Sequence, residues 1–237
     1  MPGTPREPPR PRGEGRPWPA AEQGRGRSDD RGESNPQNEW VREQNELWRE
    51  LAGSTITGWS GLDWNVGVED EDAERSFLDE TDPFRQLCAL RIHRDGGSPI
   101  GFGSYQNGHA FGLSLFVSDG SDMAGDQWSR ESNLRDLPVG PVERLEVHLD
   151  DRPRSELDVI EALITIGGRS VLVVAAEVYA EFSAEQSPAY RWADESLFVF
   201  ADPANADQIP WAGERQFVAR EISAGEGDAL GGTVSPT

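Results

Sequence analysis

The chain has 237 residues, a formal net charge of −21 and 35% apolar residues, which suits one acidic domain of ordinary size with polar ends. All 22 basic residues are arginine, so Schiff-base chemistry, a P-loop lysine and a lysine general base are excluded. The single cysteine, Cys88, excludes an intrachain disulfide, and no run of 18 apolar residues offers a membrane-spanning helix.

Residues 1–35 are rich in Pro, Gly and Arg, with seven Arg against six acids. They hold too little apolar surface to offset the entropy of ordering and read as a disordered tail. The start lacks the apolar core of a signal peptide and is too acidic for a transit peptide, so the expected location is the cytoplasm. Residues 212–237 end in Gly, Ser, Ala and acid and read as a second disordered tail. The domain between them, 36–211, carries about −20 of the charge. A field of that sign repels nucleic acid and anionic lipid and attracts cations and basic proteins.

Asn35 and Pro36 are helix-start signals. Trp40, Leu47, Trp48 and Leu51 recur on one helical face, which predicts a helix over 37–52 that stops at Gly53. A short strand is expected over 54–60 and an exposed acidic loop over 66–83. Residues 86–93 alternate, with Cys88, Leu90 and Ile92 on one face. Asp95-Gly96-Gly97 is a turn, 99–105 the return strand, Asn107-Gly108 a second turn and 110–117 a third strand. Residues 118–140 read as a long loop. Residues 142–149 are a half-buried strand, with Leu145, Val147 and Leu149 pointing one way and Arg144, Glu146 and His148 the other.

A second hairpin turns at Gly167-Gly168. Ser155 and Asp158 offer a capping box for a helix over 155–164, but the β-branched residues Ile160, Ile164 and Ile166 favour a strand. The return strand, 170–182, puts Leu172, Val174, Ala176, Val178, Ala180 and Phe182 on one face. Its other face begins apolar and ends with Glu177, Tyr179 and Glu181. Residues 183–191 are expected to be a loop and 195–200 a strand. Asp202 caps a helical turn that begins at Pro203, and Trp211 is expected to anchor the end of the domain. The fold class is therefore mainly β: an antiparallel meander sheet or small sandwich of about seven to eight strands, with one N-terminal helix packed on it.

The familiar chemical motifs fail on inspection. Gly101-Phe-Gly103 opens like a dinucleotide fingerprint, but Gln106 stands where the third glycine belongs and no helix follows. Gly58-Trp-Ser60-Gly61 lacks nucleophile-elbow spacing, so Ser60 reads as a turn serine. Cys88 reads as a small buried hydrophobe. His93, His109 and His148 are too few and too scattered for a zinc site and read as surface residues, although His93 and His148 each lie on a polar strand face and could meet in space. Asp119, Asp122 and Asp126 lie in an oxygen-rich loop, but Ala124 and Arg130 occupy the glycine and glutamate positions of a calcium loop. No cofactor or metal is expected.

One group remains. Glu177, Tyr179 and Glu181 share a strand face, with Trp192, Asp194 and Glu195 close in sequence. If strands 170–182 and 195–200 pair, these residues form one rim of carboxylates and rings. Such a rim suits a basic protein partner. The leading expectation is a non-enzymatic acidic binding protein of the immunity or antitoxin type. Two alternatives stay open: a hydrolase using Glu177 with Asp194 or Glu195, and a structural β domain without a discrete site.

Overall fold

A computed structural model describes residues 36–64, 82–107, 110–119, 129–150, 158–179, 189–212 and 217–225. The proposed tail at 1–35, most of the acidic loop at 66–83, Asp122, Asp126 and Glu181 lie outside the described residues.

The first element is helix α1, Pro36–Ala52. Its apolar stripe sits where the spacing puts it: Leu47, Trp48 and Leu51 are buried and Trp40 packs against the same core. Gly53 N–H bonds to Arg49 O and ends the helix. Among the described residues, twelve strands follow in one antiparallel sheet. They are β1 (Thr55–Trp64), β2 (Arg85–Leu87), β3 (Ala89–Arg94), β4 (Ile100–Asn107), β5 (Ala110–Val117) and β6 (Ser129–Asn133). The second half holds β7 (Gly140–Asp150), β8 (Val159–Ile166), β9 (Arg169–Tyr179), β10 (Ala189–Trp192), β11 (Ser196–Phe200) and β12 (Phe217–Ile222).

The strand order is β2-β11-β9-β8-β7-β1-β3-β4-β5. Only Cys88 separates β2 from β3, so the path from β2 round to β3 returns to the same stretch of chain and closes the sheet on itself. The β4–β5 hairpin extends from β3. Glycines set the turns that need left-handed backbone: Gly96 has φ 71°, and Gly167 and Gly168 have φ 57° and 72°. At β5, the free edge is closed by α1. Gln44 donates from Nε2 to Leu115 O and accepts from Leu115 N at Oε1, both at 2.8 Å. A side-chain amide thus stands in for the next strand.

Two cores result, one on each face of β9. Val171, Val173 and Ala175 join the large core, which also takes residues from α1, β1, β3, β4, β5, β7, β8 and β11. Leu172, Val174 and Ala176 join a smaller core with Phe84, Phe198 and Phe200. A short 3-10 turn, Pro203–Gln208, covers the smaller core, with Ala204 N–H donating to the Asp202 carboxylate at its start. Trp211 packs there as expected, its indole N–H bonded to Ala206 O.

The fold class matches the sequence reading, but the number of strands does not. Four differences account for it. Expected strand 86–93 breaks at Cys88, which shifts the alternation: Leu87, not Cys88, joins Leu90 and Ile92 in the core, and Cys88 is half-buried. The loop at 118–140 contains β6, which pairs with β1. The loop at 183–191 ends in β10, which pairs with β9. The expected tail at 212–237 contains β12, which pairs with β7 from Phe217 opposite Asp150 to Ile222 opposite Leu145. The missed strands are polar or short edge strands, which need no run of alternating apolar residues to hold a place in a sheet.

Candidate functional site

The expected rim is divided by strand alternation. Arg191 lies opposite Glu177, and Trp192 lies opposite Ala176. Neighbouring residues of a strand point to opposite faces, so Glu177 and Trp192 do not share one. The buried Glu177 carboxylate is held by the Arg191 guanidinium. Trp192 instead turns into the smaller core and stacks on Trp211, with centroids 4.8 Å apart. Asp194 contributes its backbone carbonyl to the Ser104 hydroxyl at 2.5 Å, and Glu195 is exposed. Tyr179 ends β9, opposite Ala189.

The structure assembles a different set of rings and carboxylates on the face of β7 opposite Leu145 and Val147. Cross-strand registers put Glu161 of β8 and Ala219 of β12 on either side of His148. His148 Nδ1 lies 2.8 Å from Glu161 Oε2, and Nε2 lies 3.0 Å from Glu146 Oε1. Glu161 is wholly buried. The histidine pKa is raised above its ordinary value, chiefly by the hydrogen bond to Glu161; burial opposes this and Glu146 adds to it. Arg144 pairs with both Glu146 and Glu221. The His148 ring stacks on Phe217 at 6.4 Å, and Phe217 meets Trp192 edge-on at 5.5 Å. Trp211, Trp192, Phe217 and His148 therefore form a continuous row of half-buried rings from the smaller core to the β7–β12 pair.

A second cluster joins β1, β3 and β6. Ser60 lies in β1, not in a turn, and is buried. Its hydroxyl donates to Glu131 at 2.7 Å and lies 3.2 Å from His93 Nε2, while Arg91 bonds the same Glu131 oxygen at 2.9 Å. A hydroxyl that gives its proton to a carboxylate is not activated by a histidine, and residue Ser60 is only 1% exposed. The cluster ties three strands together. It also separates the two histidines: His93 belongs here and His148 to the ring row.

Among the described residues, no three His, Cys, Asp or Glu side chains converge to hold a metal ion. No described helix is long and apolar enough to cross a membrane. Comparison of the chain with protein-family models, curated proteins and solved structures gave no match.

Of the residues expected to form the rim, only Trp192 belongs to this row; His148, Glu161 and Phe217 are not among them. The usable signal was the charged face of 142–149. What was missing was the register that sets Glu161 against it.

Proposed function

We propose that the protein is a non-enzymatic binding protein that captures a basic protein partner, in the manner of an immunity or antitoxin-type inhibitor. The observation that supports this reading is the row Trp211–Trp192–Phe217–His148, bordered by the carboxylates of Glu146 and Glu221. Acidic surface alone serves solubility equally well; rings beside carboxylates do more. An arginine or lysine laid on an indole face gains about 0.5–2 kcal/mol. The carboxylates add attraction that speeds encounter and rejects acidic partners. The carboxylate-hydrolase reading has less to support it, because the Glu177 side chain is 5% exposed and held by Arg191, whereas Glu221 is 61% exposed beside its arginine.

The test is capture from native lysate on the immobilised full chain at low and high salt, compared with the Trp192→Ala and Glu221→Gln chains. The expected result is a basic protein that is retained at low salt, released at high salt and lost or weakened in both variants. Equal retention by all three chains would remove this face from the interaction, and retention of acidic proteins would overturn the reading.

A further inference from the structure

Both ring nitrogens of His148 face carboxylate oxygens, at 2.8 Å and 3.0 Å. An ionised carboxylate only accepts hydrogen bonds, and only an imidazolium can donate to two of them at once, so this geometry favours the charged ring. A neutral ring keeps one N–H and turns a lone pair toward the other carboxylate. Among the described residues, the other charged groups on this face are Arg144, Glu146 and Asp150 of β7, Glu161 of β8 and Glu221 of β12. Of these, Glu161 and Glu146 contact the ring and favour its charged form. The same ring stacks on Phe217, the first residue of β12.

We propose that His148 is a proton-operated latch: while charged it holds β12, and with it the ring row, against β7, and on losing its proton it lets β12 open. When the ring is neutral, one carboxylate–histidine contact becomes repulsive. Glu161 is wholly buried and cannot be relieved by water. Movement of the ring relieves the repulsion, and that movement unseats Phe217. The sign follows from the raised histidine pKa. The stabilisation is complete below the unfolded value of about 6.5. It is lost as pH rises through the higher folded value. Ile222, buried in the large core, keeps the far end of β12 anchored, so opening starts at Phe217. The latch rests on the proposed partner site only for what it would regulate.

The test is amide hydrogen exchange over 217–222 in the full chain, corrected for the intrinsic rate and read beside the His148 ring signal by NMR between about pH 6 and 9. One released proton changes the opening equilibrium by at most about tenfold per pH unit. Protection of β12 should therefore fall at up to that slope, with the same midpoint as the ring, while β8 stays protected. Glu146→Gln should move both midpoints down together. Flat protection while the ring titrates, a ring that keeps its proton until global unfolding, or midpoints that separate in the variant would each overturn the latch. None of these outcomes involves a partner, so each is distinct from failure of the capture experiment.

Discussion

Gln44 is the side chain whose removal gives the most direct reading of how α1 holds the sheet. It is 4% exposed, and its amide satisfies both outward backbone groups of Leu115, which is itself 2% exposed. Gln44→Met keeps the length and the apolar stem but leaves a buried N–H and a buried C=O without partners. Each costs about 1–3 kcal/mol, so a loss of roughly 2–6 kcal/mol is expected. At a size near 200 residues each kcal/mol lowers Tm by about 2–4 °C. Gln44→Glu separates the two bonds. The introduced carboxylate accepts from Leu115 N–H, but it faces Leu115 O with no hydrogen to give unless protonated. Its folded pKa should rise above the ordinary value of about 4.3. The penalty is then small below about pH 4.3 and grows as pH rises from there toward the folded value. Urea unfolding at both pH values measures this, and size-exclusion chromatography reports whether the uncovered β5 edge self-associates. The reasoning fails if Gln44→Met lies within about 0.5 kcal/mol of the parent, the range of ordinary surface substitutions, or if Gln44→Glu shows no pH dependence.

Glycines 112 and 101 should rank differently. A Cβ at Gly112 would meet the Val159 carbonyl oxygen at 2.6 Å, while one at Gly101 would meet the movable ring of Phe116 at 2.2 Å. Each alanine substitution should cost about 1–3 kcal/mol. Phe116→Leu should restore part of the loss at Gly101 and none at Gly112, as read from chemical unfolding of the double mutants. Tyr105 donates to Asp158 at 2.9 Å, and burial, with the Asp158 charge, pushes its pKa well above the ordinary value. In an alkaline absorbance titration of the three tyrosines, Tyr105→Phe should leave the native-state tyrosinate signal unchanged and reduce only the unfolding step; a smaller native signal would refute this. Arg191→Met should leave the buried Glu177 carboxylate without its guanidinium partner. Because Arg191 is half exposed, the loss should be about 1–3 kcal/mol, below the range for fully buried pairs. That loss should be the same at pH values on either side of the His148 titration.

Much of the centre of the fold could be read from residue patterns, because central strands must bury what they carry. The alternation through Leu145 and Val147, the doubly apolar start of β9 and the Gly167-Gly168 turn each had one physical solution. The margins could not be read. Ser129–Asn133 and Ala189–Trp192 earn their places by backbone pairing with β1 and β9, which leaves little trace in polarity. Cys88 inverts the face of β2 with one residue, and nothing in its neighbours signals the break. The candidate site suffered most. Glu177 and Trp192 are close in sequence, but antiparallel register sends them to opposite faces. His148 and Glu161 meet only through the β7–β8 register, and the sequence between the two strands carries no two-residue turn signal to fix it.

The two buried glutamates among the described residues show what the register decides. Each is matched by a basic side chain from the neighbouring strand: Glu177 of β9 by Arg191 of β10, and Glu161 of β8 by His148 of β7. A guanidinium keeps its charge across the whole range in which the protein is folded, so the β9–β10 tie is permanent. An imidazole does not, so the β7–β8 tie is conditional. The conditional tie is the one stacked on Phe217, and through it on Trp192 and Trp211. Exchanging the two basic residues would preserve the net charge and move the response to pH from β12 to β10. Charge composition alone therefore cannot say which edge of this sheet opens; the pairing of a titratable ring with a wholly buried carboxylate does.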